Sequence, residues 1–357
     1  MINPMAYCFY CMSKLPEENG VCPACGKSNR TRVNGQGELP FSQLAGKYII
    51  GHALGRGGFG ITYVGMNANL GTRVAIKEYF PADISERAPD GVHIQAVSRD
   101  VAPMFEQGKI KALQEAQTIA RVESVPNVMR IYDCFGRNNT VYIIMEFIEG
   151  HTLSSLVAGS GPMPWSEVLP VIRPIGLTLD QLHRQNLIHR DVSPDNIMIR
   201  TDNGESVLLD FGAASAAIRK GEKHEKLLKD GYAAPEQYQE DADINGRADE
   251  YSLAATAFFM LTGTRPAGAT QRKYGDSHIE LPKKVRSSVP EQAWQALEKG
   301  MAVVQEDRYP TIGEMMEAIN VTGGKRRSGS AGKIALIAAG VLAGVVAVGC
   351  IVLGLLA

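Results

Sequence analysis

The first half of the chain alternates short apolar runs with polar turns, a pattern that predicts β-strands. The strand-like runs are Tyr48–Leu54, Ile61–Gly65, Arg73–Lys77 and Val141–Phe147. A stretch with helical spacing, Glu106–Val122, precedes the last of them. Beyond Gly150 apolar residues recur mainly at helical spacing. A β-rich part followed by an α-rich part predicts an α+β fold in two lobes.

An insertion separates the third strand from the helix, over about residues 81–103. It contains Pro81, Pro89 and the turn-forming pair Asp90-Gly91, followed by the alternating run Val92–Val97. Turn residues beside an alternating run predict a hairpin-like flap on the small lobe. A structural insertion without a function of its own is the simpler account of this segment.

The last 24 residues, 334–357, carry no charge. At about 1.5 Å per residue they can cross a hydrocarbon core of about 30 Å, which predicts a transmembrane helix. The basic cluster Lys325–Arg327 precedes it and favours a cytoplasmic location for the rest of the chain. Gly340 and Gly344 have GxxxG spacing, which favours a weak homodimer through the helix, although glycine is frequent in spans for other reasons. We therefore expect a single-pass protein of the cell membrane, in contact with the lipid bilayer.

Composition narrows the classes of function. The chain has 357 residues, which allows about two domains with appendages, and its hydrophobic share of 45% can fill a core. The 37 Lys and Arg residues nearly balance 38 Asp and Glu residues. This balance argues against a generally basic nucleic-acid binder, and we expect no nucleic-acid partner.

Four of the six cysteines lie close together near the N-terminus, as two CxxC pairs with ten residues between them. They are Cys8, Cys11, Cys22 and Cys25. Four thiolates at this spacing can close a tetrahedral Zn²⁺ site, and so short a segment needs such a metal in order to fold. Two disulfides or a redox pair are the alternative, which a reducing cytoplasm disfavours. The segment resembles a small zinc ribbon with a structural or protein-binding role.

Five motifs follow one another along the long middle region. They are the glycine-rich run Gly55–Gly60, Val74–Lys77, His189–Asp191 with Asn196, Asp210–Gly212 and Ala234–Glu236. The glycine-rich run alone is a weak signal, but a strand-like run follows it where a dinucleotide-binding unit would begin a helix. With these motifs in this order the chain resembles the eukaryotic-type (Hanks-type) serine/threonine protein kinases, in a form similar to bacterial members.

The resemblance implies a bilobal protein-kinase-like fold and suggests domain boundaries. We expect a zinc ribbon over 1–30, a linker over 31–44, a kinase domain over 45–321 with lobes 45–148 and 149–321, a basic linker over 322–333 and the membrane helix over 334–357.

The resemblance also implies a nucleotide site for ATP. The glycines would let the backbone approach the phosphates, Lys77 would bind the α and β phosphates, and residues 145–148 would contact adenine. The residues expected to contact the nucleotide are Gly55, Gly57, Gly58, Phe59, Gly60, Ala75, Lys77, Met145, Glu146 and Ile148.

The implied catalytic residues are Asp191, Lys77, Glu115, Asn196 and Asp210. Asp191 would orient the attacking hydroxyl or accept its proton, while Asn196 and Asp210 would bind Mg²⁺. Glu115 is the expected ion-pair partner of Lys77, on a helix whose apolar positions are Ile110, Leu113, Ala116, Ile119 and Ala120. Glu106 and Glu123 are the alternatives.

Supporting residues fit the same resemblance. Asp249 would brace the catalytic loop, Arg308 would pair with Glu236, and His189 is expected to be a buried, hydrogen-bonded histidine rather than a base.

Two positions depart from the pattern. Ser/Thr-selective relatives carry lysine where this chain has Ser193, and threonine where it has Lys229. We expect the positive charge beside Asp191 to come from Lys229 instead. The alternative is that Lys229 points to solvent.

These features predict a membrane-anchored protein kinase that uses ATP and Mg²⁺ on Ser or Thr hydroxyls of protein substrates. The alternative is a pseudokinase scaffold that recruits partners through the ribbon and lobes. The presence of Lys77, Asp191, Asn196 and Asp210 together favours the enzyme, because a scaffold has no physical need for metal-binding carboxylates at those spacings.

Overall fold

The computed structural model describes residues 3–30, 32, 35–121, 125–210, 228–239, 242–275 and 279–320. The chain forms two compact units. Of the described residues, those up to 121 together with 130–147 form the first unit, and those at 125–129 and from 148 to 320 form the second. Strands dominate the first unit and helices the second, as the hydrophobic pattern predicts.

The first unit is framed by a six-stranded antiparallel sheet of order β1-β2-β3-β4-β8-β7. The strands among the described residues of this unit are β1 (Ser42–Leu44), β2 (Tyr48–Gly57), β3 (Gly60–Asn67), β4 (Thr72–Tyr79), β5 (Ser85–Arg87), β6 (Ile94–Ala96), β7 (Ile131–Arg137) and β8 (Thr140–Glu146). Strands β5 and β6 form a separate hairpin. The four expected strands are confirmed. The edge strand β7 buries none of its side chains completely, so its apolar pattern is too weak to predict it.

Helix α1 (Ala102–Ala120) contacts β7 and β8. It buries Phe105, Gly108 and Ala116. Tyr79 of β4 packs directly against the backbone of Gly108, because a Cβ on Gly108 would lie only 1.8 Å from the Tyr79 hydroxyl oxygen. The expected apolar face needs correction at Ile110, whose side chain is 55% exposed. Packing of Tyr79 against Gly108 sets the helix rotation and turns Ile110 to solvent.

The insertion forms the expected hairpin, because β5 pairs antiparallel with β6. Arg87 at the end of β5 donates to both carboxylate oxygens of Glu78, at 2.8 and 2.5 Å. Glu78 is fully buried on β4, next to Lys77, and accepts further hydrogen bonds from the hydroxyls of Tyr63 and Tyr142. The insertion therefore supplies the cation that balances a buried carboxylate of the central sheet, a role that the sequence pattern does not reveal.

The cysteine-bearing segment packs on β2. The backbone amide of His52 donates to the carbonyl oxygen of Phe9 at 2.8 Å. A Cβ on Gly51 would lie 2.0 Å from the terminal methyl carbon of Met12 and 2.4 Å from the Phe9 oxygen, so only glycine allows this approach. Met12 completes a buried cluster with Ile49, Val64 and Met66.

The second unit is mainly helical. Its helices are α2 (Leu153–Ser160), α3 (Trp165–His183), α4 (Arg247–Thr262), α5 (Ala269–Tyr274), α6 (Lys283–Arg286), α7 (Glu291–Gly300) and α8 (Ile312–Asn320). Helix α4 is buried along nearly its whole length and packs against α3 and α7. A three-stranded sheet of order β11-β10-β9 joins them, formed by β9 (Gly150–Thr152), β10 (Ile197–Arg200) and β11 (Ser206–Leu208).

The expectation of a single-pass localisation in the cell membrane needs correction. In the parts of the chain that the structure describes, no helix is long and apolar enough to cross a membrane. The longest of these helices, α1 and α3, have 19 residues each but carry charged side chains such as Lys109 and Arg173. The expected span 334–357, with Gly340 and Gly344 of the expected dimer contact, lies outside the described residues.

Candidate functional site

Asp191, expected to orient the attacking hydroxyl or accept its proton, lies in the loop between α3 and β10. Asn196 donates from Nδ2 to Oδ2 of Asp191 at 2.7 Å and to the Asp191 carbonyl oxygen at 2.8 Å. Burial raises the pKa of Asp191, while the nearby charge of Lys229 and the Asn196 hydrogen bond act in the opposite direction. The carboxylate is therefore held in one orientation by the side chain five residues further along the chain.

A second carboxylate, on α4, holds the backbone of this loop. Asp249, at the start of α4, is fully buried and accepts hydrogen bonds from the backbone amides of His189 and Arg190 at 2.8 and 2.7 Å. Burial alone would raise the pKa of Asp249, but the hydrogen bond from His183 Nε2 at 2.8 Å and the two amides hold it below its usual value. Arg190 has a φ of 66°, which these bonds stabilise. The bracing role expected for Asp249 is confirmed.

His189 is buried, and its Nε2 lies 2.7 Å from the carbonyl oxygen of Leu209. The amide of Asp191 donates to His189 Nδ1 at 3.3 Å, so the proton of the neutral ring belongs on Nε2. Burial lowers the pKa of His189, which keeps the ring neutral. The expectation of a buried, hydrogen-bonded histidine is confirmed.

Lys229 lies beside the catalytic carboxylate. Its Nζ atom is 3.3 Å from Asp191 Oδ1 and donates to Ser193 Oγ at 2.8 Å. The expected proximity of Lys229 and Asp191 is thus confirmed, and the alternative of a solvent-facing lysine is wrong.

The two expected magnesium ligands, Asn196 and Asp210, come from neighbouring parts of the second unit. The amide of Leu209, directly before Asp210, donates to the carbonyl oxygen of Asn196 at 2.8 Å. An amide oxygen and a carboxylate are donors that Mg²⁺ prefers, so these residues fit such an ion. Phe211 and Gly212 of the same motif lie outside the described residues.

In the first unit, the glycine-rich run forms the turn between β2 and β3. Gly57 pairs with Gly60, which leaves Gly58 and Phe59 at the tip. The chain then continues as strand β3, as expected, and not as a helix. Gly55 lies on β2 and pairs with Thr62 of β3.

Strand β4 carries Lys77, which is half-buried and pairs with Ile143 of β8. Two residues earlier, Ala75 pairs with Met145, and both are buried. Strand β8 ends at Glu146, so the following backbone, which includes Ile148, lies outside the sheet.

Glu115, the expected partner of Lys77, is half-buried on α1. The alternative Glu106 is exposed and forms an ion pair with Lys109 at 2.7 Å, while Glu123 lies outside the described residues. The pairing of Lys77 with Glu115 stays a prediction.

Glu236 and Arg308 form a buried two-pronged ion pair, with nitrogen–oxygen distances of 2.6 and 2.9 Å. This expectation is confirmed. The neighbouring Gln237 was not expected to contribute, yet it donates to the carbonyl oxygen of Arg190 at 2.9 Å and so ties the two motifs together. Its position directly after the Ala234–Glu236 motif is the sequence signal that could have identified it.

The four N-terminal cysteines form a second candidate centre. The Sγ atoms of Cys8, Cys11, Cys22 and Cys25 lie within 4.8 Å of one another. Cys8 and Cys25 are 3.7 Å apart and Cys11 and Cys22 3.6 Å, close to the edge of about 3.8 Å that Zn–S bonds of about 2.3 Å give a tetrahedron. All four thiols are free. The donor set and its size fit one zinc ion.

Comparisons with known proteins agree with this geometry. The sequence model of the protein kinase domain family matches residues 48–318 of the chain. The chain is 30% identical over 297 residues to serine/threonine-protein kinase PknE of Mycobacterium tuberculosis, covering 80% of this chain and 48% of that protein. Serine/threonine-protein kinase B of Synechocystis is 29% identical over 264 residues, covering 71% and 41%. Among solved structures, the apo form of PpkA-294 superposes with a TM-score of 0.71 at 30% identity, covering 79% of this chain and 99% of that one. The chain spans about half the length of the curated relatives it matches.

Proposed function

The chain belongs to the protein kinase family, and we propose that it transfers the γ-phosphoryl group of ATP to Ser or Thr hydroxyls of protein substrates. The observation that carries this proposal is the arrangement around Asp191: Asn196 orients its carboxylate, and Asp249 holds the backbone amides of the two residues before it. Catalysis of phosphoryl transfer depends mainly on positioning and charge, which this arrangement supplies.

In the proposed reaction the substrate hydroxyl oxygen attacks the γ-phosphorus, the bond from that phosphorus to the β–γ bridging oxygen breaks, and ADP leaves. Asp191 accepts the hydroxyl proton and later releases it to solvent. Asp210 and Asn196 would hold Mg²⁺, which when bound neutralises charge on the phosphate oxygens.

The nucleotide would be bound by residues of the first unit and the segment that follows it. Lys77 would bind the α and β phosphates, with Glu115 orienting its ammonium group. The backbone of the glycine-rich turn would contact the phosphates. The residues proposed to contact the rest of the nucleotide are Phe59, Ala75, Met145, Glu146 and Ile148.

Phosphoryl transfer from ATP labelled in the γ position tests the proposal. The full chain with Mg²⁺ and a Ser- and Thr-containing protein substrate should transfer label, and Asp191→Asn should abolish the transfer. Asp202→Asn, a matched change at an exposed turn position, should leave it unchanged. A wild-type chain that binds ATP without transferring label would favour the scaffold alternative.

We further propose that the cysteine cluster holds one structural Zn²⁺ ion. The support is the sulfur spacing and the small size of the segment, which offers little apolar core of its own. Metal analysis of the full chain should give one zinc per chain, and Co²⁺ in its place should show the absorption of a tetrahedral thiolate site. Cys22→Ser should lose the metal and Cys134→Ser, a cysteine on β7 outside the cluster, should keep it. Zinc retained in full by Cys22→Ser would contradict the proposal.

A further inference from the structure

The Asp191 carboxylate is held at both oxygens by different segments of the second unit. Asn196 donates to Oδ2 at 2.7 Å, and Lys229 Nζ lies 3.3 Å from Oδ1. Rotation of the carboxylate would break one contact or the other. The two donors therefore fix the plane of the group that the proposed reaction uses to receive a proton.

We infer that Lys229 is a positioning residue for phosphoryl transfer, which fixes the Asp191 carboxylate and places a positive charge beside it. This inference rests on the proposed function. The side chains of Lys229 and Asp191 are 32% and 33% exposed, so both are partly withdrawn from water while a substrate can still reach them. At such a site a charge interacts more strongly than it would in bulk water.

The backbone around Lys229 is arranged to hold this position. Its carbonyl oxygen accepts hydrogen bonds from the amides of Tyr232 and Ala233, both at 2.9 Å, which close a turn. The hydroxyl of Ser252 on α4 donates to the Tyr232 carbonyl oxygen at 2.9 Å and ties that turn to a buried helix. The ammonium group therefore comes from a segment anchored to the core.

A purely structural account is the main rival. In that account the bond from Lys229 to the buried Ser193 hydroxyl only holds the turn in place. The two accounts differ in Ser193→Ala, which removes this bond but leaves the ammonium group free to contact Asp191. If the positive charge beside Asp191 supports the reaction, Ser193→Ala loses less activity than Lys229→Met. If only the hydrogen bond between Lys229 and Ser193 is needed, the two variants lose the same amount of activity.

The experiment measures kcat, the KM values for ATP and protein substrate, and the melting temperature for the full chain and its variants. We expect Lys229→Met to lower kcat by about 10²-fold with much smaller changes in KM for ATP, as for loss of a preorganised charge. Lys229→Arg should retain most of kcat. Ser193→Lys in the Lys229→Met background should restore part of it, because it returns an ammonium group to the same place. Lys284→Met, at an exposed lysine of α6, is the matched control.

Equal losses of kcat in Ser193→Ala and Lys229→Met would overturn the inference. So would a low kcat in Lys229→Arg combined with no recovery of kcat when Ser193→Lys is added to Lys229→Met. Those comparisons remain decisive even where Lys229→Met lowers the melting temperature. Full transfer by a folded Lys229→Met would overturn this inference alone. A wild-type chain without Asp191-dependent transfer would overturn the proposed function and this inference with it.

Discussion

The carbonyl oxygen of Phe9 accepts a hydrogen bond from the amide of His52 at 2.8 Å, which joins the first cysteine pair to β2. Strand β2 continues from this point into the glycine-rich turn. Arg56, near the end of β2, donates to the carbonyl oxygen of Gln36 at 2.6 Å, so the linker contacts this strand beside the turn as well. The cysteine-bearing segment is thus built onto the sheet of the first unit.

This docking predicts that Gly51→Ala separates the segment from β2. The added Cβ would lie 2.4 Å from the Phe9 carbonyl oxygen, a distance that forces the backbone apart. We expect the free energy of unfolding to fall by about 1–3 kcal/mol, which lowers the melting temperature and makes proteolysis of the linker faster. Gly136→Ala, where a Cβ meets only one atom at 3.8 Å, is the control. Identical behaviour of the two variants would show that the contact is not needed.

The pair formed by Arg87 and Glu78 predicts a large effect on stability. Arg87→Met leaves the fully buried Glu78 carboxylate without its cation, and should cost about 3–5 kcal/mol of unfolding free energy. Adding Glu78→Gln removes the charge and should recover part of that loss. Lys47→Met, which breaks the more exposed pair with Asp133, should cost no more than about 1 kcal/mol. Urea denaturation of the wild-type chain and these three variants measures the costs, and equal costs for Arg87→Met and Lys47→Met would contradict this account.

Glu250 on α4 predicts a pH dependence of stability. Burial raises its pKa to about 8, and Oε2 has no hydrogen-bond partner among the described residues. Between about pH 5 and pH 8 the folded chain keeps this proton while the unfolded chain has released it, so this group makes the fold less stable as pH rises. Glu250→Gln should flatten the dependence of the melting temperature across that window. Glu306→Gln, at an exposed position, should leave the wild-type slope; a wild-type slope in Glu250→Gln would contradict the assignment.

Much of the fold was predictable because its signals are local. The strands around Lys77, the hairpin of the insertion and the spacing of Cys8 to Cys25 each appear within a short window of sequence. The proximity of Lys229 to Asp191 was predictable only through the family resemblance, because 37 residues separate the two positions.

What escaped prediction depends on contacts between distant segments. Ile110 was expected inside, but the rotation of α1 depends on Tyr79 meeting Gly108. The docking of the cysteine-bearing segment left one readable signal, Gly51 within a strand, since such a glycine often marks close approach of another backbone. Arg87 gave none, because nothing local to an arginine shows which carboxylate it will meet.

The most direct test of the central claim is the identity of the amino acid that accepts the phosphoryl group. Label from γ-labelled ATP should be recovered from the protein substrate as phosphoserine or phosphothreonine, and none should be recovered with Asp191→Asn. Phosphotyrosine as the only labelled product, or undiminished labelling by Asp191→Asn, would contradict the account.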